Sequence, residues 1–535
     1  MTGVQPRARE SVVSVLLVAL ALLPLLAGLV MSLSPAGRDA LTSWLARPSG
    51  SRILFSSLLF AATGATVGLL AGWTVALTLP ASVTSRRLLL ALCCLPLLVP
   101  SSLMGVGWIM AMGRDAVVTN ALRNVFGHAV PTIYVWPLAA AATGLRYFGV
   151  AALMLAADRR ADRTTRAVER VFGLRWTTRA RLHVGATLVP ATIAWLLLVL
   201  LVGGDHILPG MFLVHTFGTE VLIQFNAVMD PAGAAALAMI PAVIAIIALL
   251  LCGALTRRYS GWTDRDMGVG ETLACGERSR TASSRWERAI AVAVIAGTML
   301  LALGLPFAGL VVRAQNVTNL HDAWRDALPE VGQSVQLAMA GAATTLLLAL
   351  PLAHGWVAAH RRRTSSPAPL VLLNLAVPGS LLALGILFLP APQALVDTNA
   401  GLIVAYAARF AAVAMIVLFA GWVRCAPTSD LAARLHRVPA INRFLRLTLP
   451  ARAPATVAAF ALVALLVAAE LEMSLILVRP GPTTLGVRLY TLIHTAPDHV
   501  VAALALDVLI AVMLVALAFG GASYVARRLA RGRFA

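Results

Sequence analysis

The sequence predicts an all-α membrane protein with about twelve transmembrane helices. Of its 535 residues, 59% are apolar and only 12% are charged, roughly half the charge density of an average soluble protein. The mean hydropathy is +0.85, and the apolar residues come in blocks of about 20, the length that crosses the hydrocarbon core of a bilayer. Together these observations exclude a soluble globular protein.

Twelve apolar blocks define the predicted spans, numbered here 1 to 12. They cover residues 11–31, 52–79, 88–112, 131–157, 186–202, 235–255, 289–313, 334–358, 368–390, 400–423, 455–478 and 500–525. The first block follows two arginines, as a signal peptide would. Its apolar run is longer than a usual signal core, so we retain it as span 1.

Arginine sets the predicted orientation. The chain has 43 basic and 23 acidic residues, a net charge of +20, and every basic residue is Arg. The segments before span 1 and after each even-numbered span hold 32 of these arginines, whereas the opposite loops hold 9. The positive-inside rule therefore places both termini in the cytoplasm. Because the arginines lie at span ends, the high pI does not indicate a nucleic-acid partner.

The chain lacks the residues that several chemistries require. Without Lys it can form neither a phosphate-binding P-loop nor a Schiff base, so any ATPase is expected on a separate chain. No nucleophile, acid/base pair or metal-ligand set is evident in the sequence. We therefore predict no catalytic residue, no metal site and no bound cofactor, and hence no enzyme.

An internal duplication is the most informative pattern. Three pairs of segments match in the same order: 99–107 with 377–385, 190–194 with 454–458, and 235–238 with 502–505. Chance matching of Ala and Leu is the alternative, but prolines, glycines and acidic positions also align. Since each copy has an even number of spans, we predict two parallel six-helix repeats related by a pseudo-two-fold axis along the membrane normal. The predicted domains are 1–255 and 289–535, joined by a cytoplasmic linker, 256–288.

The loops after spans 4 and 10 are long, charged and compatible with a short helix. Such a helix on the cytoplasmic face could bind in the groove of a partner protein, and Pro450 could occupy the first position of the following helix. An ordinary positively charged loop is the alternative. The candidate coupling residues are Ala167, Glu169, Gly173 and Trp176 in the first loop, and Ala432, Ala433, Arg437, Pro439 and Pro450 in the second.

These loops resemble the EAA loop of binding-protein-dependent ABC importer permeases, which reads Glu-Ala-Ala, then Gly, then Leu-Pro. The second loop keeps Ala432 and Ala433 and the Leu-Pro pair that ends at Pro450, but it has Arg437 at the Gly position. The first loop keeps Gly173 but has Ala167 where Glu is expected.

The stretch 470–505 is similar to the fused two-domain permeases for ferric iron and thiamine. The resemblance implies 6+6 spans in the bacterial inner membrane. It also implies a dimer of cytoplasmic ATPases that binds ATP, and a periplasmic or lipid-anchored solute-binding protein.

Candidate residues of the translocation path lie in spans 3 and 9 and at the outer ends of spans 5 and 11. Prolines interrupt helical hydrogen bonding and glycines permit close helix contact, as in pore-side helices that move; plain kinked packing is equally compatible. Two carboxylates complete the set, with solvated span ends as their alternative. These residues are Pro100, Gly107, Asp205, Pro378, Gly385 and Glu470.

Arg146 and Arg409 lie inside spans 4 and 10 at nearly equivalent positions. Charge within a bilayer is costly, so each arginine requires a compensating interaction. We expect a structural role at a helix contact, with substrate contact as the alternative. The predicted function is the permease subunit of an ABC importer, for ferric iron first or else thiamine. An ion-coupled secondary transporter with 6+6 helices is the alternative.

Overall fold

We describe a computed structural model of the chain over residues 5–79, 83–113, 116, 119–120, 123–124, 135–157, 176–263, 285–389, 397–423, 433, 435–436, 438–477 and 481–532. In this part of the chain the regular structure is helical, without strands. Nine of its helices are long and apolar enough to cross a membrane, or up to twelve if each of three bent pairs is one span. The predicted all-α, multi-span character is confirmed, and every predicted block overlaps one of these elements.

The first half of the sequence contains eleven labelled helices within the described residues. They are α1 (Gln5–Ser32), α2 (Pro35–Leu45), α3 (Pro48–Thr78), α4 (Val83–Cys93), α5 (Leu95–Leu98), α6 (Ser101–Met112), α7 (Val135–Ala157), α8 (Trp176–Gly204), α9 (Ile207–Met211), α10 (Phe217–Asn226) and α11 (Pro231–Thr263).

The second half contains thirteen labelled helices within the described residues. It contains α12 (Arg285–Met299), α13 (Leu305–Ala314), α14 (Val317–Asp326), α15 (Leu328–Arg362), α16 (Leu373–Ala376), α17 (Gly379–Phe388), α18 (Asn399–Trp422), α19 (Ala440–Arg443), α20 (Leu449–Ala451), α21 (Ala453–Ala468), α22 (Glu472–Ile476), α23 (Leu485–Thr495) and α24 (Asp498–Gly532). A π-helical turn joins α12 to α13 and another joins α19 to α20, and a 3₁₀ turn precedes α16.

Several predicted boundaries differ from those of the observed helices. Span 11 was expected to extend to residue 478, but α21 ends at Ala468, because a hydropathy window counts apolar residues and does not register a turn. Helix α8 begins at Trp176, ten residues before the predicted start of span 5. The ends of the predicted linker are helical, since α11 continues to Thr263 and α12 begins at Arg285.

Corresponding helices pack in corresponding ways. Helices α3, α7 and α8 pack against one another, and so do α15, α18 and α21. Helix α8 also contacts α11, as α21 contacts α24. Each half therefore contributes a compact group of long helices that fixes the positions of the shorter segments between them.

The first long helix of each half crosses to the other half. Helix α1 packs against α17, and α13 packs against α6. One hydrophobic core accordingly combines α1 and α11 with the helices between 337 and 477, and the other combines α13 and α24 with those between 60 and 214. The two cores thus draw on both halves of the sequence.

Hydrogen bonds hold α1 against the second half of the chain and hold the N-termini of the short helices α10 and α23. Asn374 donates to the carbonyls of Ala21 and Ala408 at 2.7 and 2.9 Å, which ties α1 to the second half. At the starts of α10 and α23, the backbone N–H of Phe217 donates to Ser57 Oγ at 2.8 Å. The N–H of Leu485 donates to Ser334 Oγ at 2.7 Å. These two serines provide equivalent anchors for free helix N-termini.

Candidate functional site

Two helix breaks, at Pro100 and Pro378, define the candidate site. The flanking helical segments diverge by 87° at the first break and by 108° at the second. The two prolines have nearly the same backbone angles, with φ of −53° and −55° and ψ of 142° at both. The ring of proline and its missing N–H disfavour a continuous helix. Each break therefore leaves backbone groups free for side chains of other helices.

The first break holds a buried ion pair. Arg146 of α7 contacts Asp205, which follows α8, with 2.9 Å between Nη1 and Oδ2. Its Nη2 and Nε also donate to the Val99 carbonyl at 2.9 and 3.1 Å. The guanidinium thus neutralises a carboxylate and also satisfies a carbonyl that the break leaves without a helical partner. This arrangement supports the structural role expected for Arg146.

Three further donors surround the Asp205 carboxylate. Ser101 Oγ lies 2.9 Å and Tyr147 Oη 3.1 Å from Oδ2, and the Leu208 N–H lies 3.3 Å from Oδ1. The side chain is only 2% exposed, which excludes the alternative of a solvated span-end carboxylate. We refer to Ser101, Arg146, Tyr147 and Asp205 as the first cluster.

The second break holds one arginine and two glutamates. Arg409 Nη1 lies 2.9 Å from Glu472 Oε2 and 3.5 Å from Glu470 Oε1. Glu472 also accepts the N–H groups of Gly379 and Ser380, at 3.1 and 2.8 Å. Its carboxylate therefore caps the start of α17 directly. Arg409, Glu470 and Glu472 form the second cluster.

The two clusters use corresponding elements. The arginines lie on α7 and α18, and the carboxylates follow α8 and α21. Asp205 accepts the N–H of the residue three positions on, and Glu470 does the same with Met473 at 3.2 Å. The difference lies at the break itself, where Ser101 in the first half corresponds to Gly379 in the second. A glutamate carboxylate, that of Glu472, takes the place of the serine hydroxyl.

The clusters meet where the two halves face each other. Tyr147 of the first and Arg409 of the second lie close enough for an electrostatic interaction. Nearby, Ile207 packs with Leu471 and Val487 in a small apolar cluster. Asp205 and Glu470, which the sequence suggested as a pair, are thus brought to one seam between the halves.

The predicted glycines lie at the helix crossings. A Cβ on Gly107 would lie 2.6 Å from the Pro306 Cβ of α13, and one on Gly385 would collide with the Pro24 carbonyl of α1. Both glycines are buried. The predicted close helix contacts are therefore present, and both join one half to the other. A role of Gly107 and Gly385 in lining the path stays a prediction.

The predicted coupling loops are only partly described. Ala167, Glu169, Gly173, Ala432 and Arg437 lie outside the described residues. Trp176 is the first residue of α8, and Ala433 is buried. Pro439 precedes α19.

Pro450 is placed differently from the expectation. It lies in α20, a helix of three residues, and the long helix α21 begins three positions later. Helical segments 441–451 and 453–468 diverge by 80° between these points. The bend separates Pro450 from the helix that it was expected to start, where Pro454 stands in the first turn instead.

The second loop region is joined to two long helices by aromatic contacts. The Phe444 ring lies 5.4 Å from His354 of α15 and 6.4 Å from Trp422 of α18, both edge-on. The Arg452 guanidinium lies 5.1 Å from the Trp422 ring centroid, within the range of a cation–π interaction. Segment 440–452 is therefore in contact with both α15 and α18.

Several site residues escaped the sequence reasoning. Glu472, Ser101 and His206 are not among the residues that the sequence predicts for the path. The adjacent pattern Glu470-Leu471-Glu472 was visible, but the backbone donors of Gly379 and Ser380 arise only from the break. Among the described residues, no group of three or more His, Cys, Asp and Glu side chains could hold a metal ion.

Comparisons with known proteins give no relative. No family model matches the chain, and neither the curated proteins nor the solved structures contain a match.

Proposed function

We propose that this chain is the membrane-spanning permease subunit of an ABC importer, resident in a bacterial inner membrane with both termini in the cytoplasm. A solute-binding protein would deliver a small solute, and a separate ATPase dimer would drive its passage. The proposal rests above all on the two ion-pair clusters that meet at the seam. They lie at corresponding broken helices, where alternating access requires two halves to rock against each other.

The packing of the long helices supports this proposal. Each half contributes a rigid group of helices, α3, α7 and α8 or α15, α18 and α21, and the crossing helices α1 and α13 hold these groups together. Two bodies that move about a shared seam need polar groups there that can exchange partners. Buried charges in a membrane are characteristic of such pathways.

The cytoplasmic segments supply the second line of support. The EAA-like sequences begin in the segments that precede α8 and α19 in the chain, and the aromatic contacts of Phe444 connect the segment after α19 to α15 and α18. In the proposed mechanism, closure of the ATPase dimer draws the two loops together. The helices then transmit this displacement to the seam.

Ferric iron is the first candidate solute and thiamine the second, on the resemblance alone. The described residues offer no multidentate metal group. Ligands that hold iron tightly would therefore be expected on the binding protein.

Co-purification tests the function. We expect the full chain, isolated from its native membrane in mild detergent, to retain a Walker-motif ATPase and ATP hydrolysis. Gly173→Glu and Ala432→Glu should reduce the affinity for the ATPase by about a hundredfold or more, because a buried charge in a small-residue contact costs several kcal/mol. Leu213→Glu is the matched control, since Leu213 is 90% exposed in the segment between α9 and α10. Absence of any ATPase from the wild-type preparation would refute the proposal.

The ion-coupled secondary transporter stays the second candidate, because paired charges at a seam also occur in such proteins. Proteoliposomes that contain only this chain separate the two. Uptake driven by a proton or sodium gradient, without ATP or a partner, would establish the second candidate instead.

A further inference from the structure

The helical segment before α21 runs along the membrane plane. Residues 441–451 diverge by 80° from 453–468, and we refer to 441–452 as the interfacial segment. Helix α21 packs against α15 and α18, both of which are long and apolar enough to span a bilayer. Spanning helices tilt on average only about 20° from the bilayer normal. The interfacial segment therefore lies close to the membrane plane, at the end of α18 where Phe444 meets Trp422.

The interfacial segment divides its apolar side chains between the helix bundle and the outside. Phe444 packs against aromatic rings of α15 and α18, and Thr448, four positions on, is only 5% exposed. Ile441 and Leu445, also four positions apart, are 70% and 53% exposed. Since residues four apart are neighbours on a helix surface, one row of side chains holds the bundle and an apolar row remains uncovered.

The charge around this uncovered row has one sign. Residues 431–452 contain five arginines and no acidic residue, and among these arginines Arg446 is exposed. At the same end of the bundle, Arg361 of α15 donates to the Trp422 carbonyl at 3.1 Å. This bond brings the three consecutive arginines 361–363 to the same membrane face. Apolar side chains flanked by positive charge are typical of segments that bind the surface of an anionic bilayer.

We propose that the interfacial segment is an amphipathic anchor that binds anionic phospholipids. Ile441 and Leu445 insert among the acyl chains beside the bundle, and Arg446 contacts the lipid phosphate groups. The orientation along the membrane plane and the wholly positive charge favour lipid over the groove of a partner protein as the cover of this row. The inference goes beyond the proposed transport function and does not depend on it.

Thermal unfolding of the full chain in a mild uncharged detergent tests the anchor. The protein is titrated with phosphatidylglycerol, with phosphatidylcholine of the same acyl chains, or with inorganic phosphate. A ligand that binds only the folded state raises the Tm in a saturable way. We expect phosphatidylglycerol to reach half-saturation at a concentration at least about tenfold lower than phosphatidylcholine. Inorganic phosphate should have no saturable effect, because it has no acyl chain to cover the apolar row.

Two variants locate the binding. Arg446→Glu reverses an exposed charge and should raise the half-saturating phosphatidylglycerol concentration by about tenfold or more, with little change for phosphatidylcholine. Leu445→Gln removes exposed apolar surface and should weaken the response to both lipids by about threefold or more. Arg325→Glu is the matched control for the charge reversal, since Arg325 is exposed on α14 between Asp322 and Asp326. Its lipid response should equal that of the wild type.

Several outcomes would overturn the anchor. They are equal responses to the two lipids, a phosphate response equal to that of phosphatidylglycerol, and an Arg446→Glu response equal to that of the wild type. If no lipid raises the Tm, another molecule covers the apolar row. If Arg446→Glu fails to elute as a folded monodisperse species, Leu445→Gln decides, and a wild-type response of this variant overturns the anchor. Because the assay needs neither an ATPase nor a binding protein, failure of the proposed function would leave its result intact.

Discussion

Both clusters satisfy polar groups at a helix break, but they do so with different side chains. At the first break, Ser101, Tyr147 and Arg146 surround a single carboxylate that is almost fully enclosed. At the second, Gly379 leaves room for the guanidinium of Arg409, and Glu472 caps the exposed N–H groups. The first arrangement is neutral and closed, whereas the second carries an additional carboxylate and is more accessible. The comparison indicates that an enclosed carboxylate needs one guanidinium and several neutral donors, whereas two carboxylates share one guanidinium where the side chains are more exposed.

Loss of an arginine should produce the largest difference in stability between the two clusters. Arg409→Met leaves Glu470 and Glu472 buried without a cation, and should lower the free energy of unfolding by about 3–5 kcal/mol. Arg146→Met should cost less, because Asp205 retains its hydroxyl and backbone donors. Unfolding in a denaturing detergent titration measures both.

Two further variants serve as controls for this prediction. Adding Glu472→Gln to Arg409→Met should recover part of the lost stability, because one uncompensated charge is then removed. Arg325→Met, at an exposed position of α14, should be nearly neutral. A greater loss in Arg146→Met than in Arg409→Met would contradict the assigned difference between the clusters.

Substitutions to Ala at the two helix breaks should lower the stability by an intermediate amount. A Cβ on Gly379 would collide with the Arg409 guanidinium and lie 2.7 Å from Glu472 Oε2, so Gly379→Ala should cost about 1–3 kcal/mol through overpacking. Ser101→Ala removes one hydrogen bond to a carboxylate and should cost about 1.5 kcal/mol. Thermal melts compare the two variants.

Gly297→Ala in α12 is the matched glycine control. An added Cβ there meets nothing within 4 Å, and Ala is favoured over Gly in a helix by about 0.5–1 kcal/mol. This variant should therefore be neutral or slightly stabilising. If Gly379→Ala behaved in the same way, the close approach of Arg409 to the second break would be incorrect.

The outer serine anchors should show the smallest effect and no difference between the halves. Ser57→Ala and Ser334→Ala each remove one acceptor of a helix N-terminal N–H, at about 1 kcal/mol each. Ser56→Ala, whose hydroxyl donates to the Ile53 carbonyl of its own helix, is the control. If the Tm shifts of Ser57→Ala and Ser334→Ala were unequal, the two serines would not anchor α10 and α23 equivalently.

Sequence patterns predicted the long helices and the two breaks well. Apolar length alone fixes a spanning helix, and Pro100 and Pro378 mark the breaks directly. The nearly equivalent placement of Arg146 and Arg409 also indicated that each needed a compensating interaction. These features are local in sequence, so composition and spacing are sufficient to find them.

The partners of those residues could not be predicted in the same way. The part of helix α1 from Val12 to Ser32 is strongly apolar, so hydropathy does not reveal which of its faces packs against α17. The capping of α17 by Glu472 depends on a backbone geometry that no side-chain pattern encodes.

The crossing of α1 has a consequence for biosynthesis. The bond from Asn374 to the Ala21 carbonyl joins residues 353 positions apart, so α1 gains this contact only after the chain has been synthesised as far as Asn374. A fragment that stops at residue 263 would expose the face of α1 that α17 covers. The packing of α1 is therefore completed only after α17 has been synthesised.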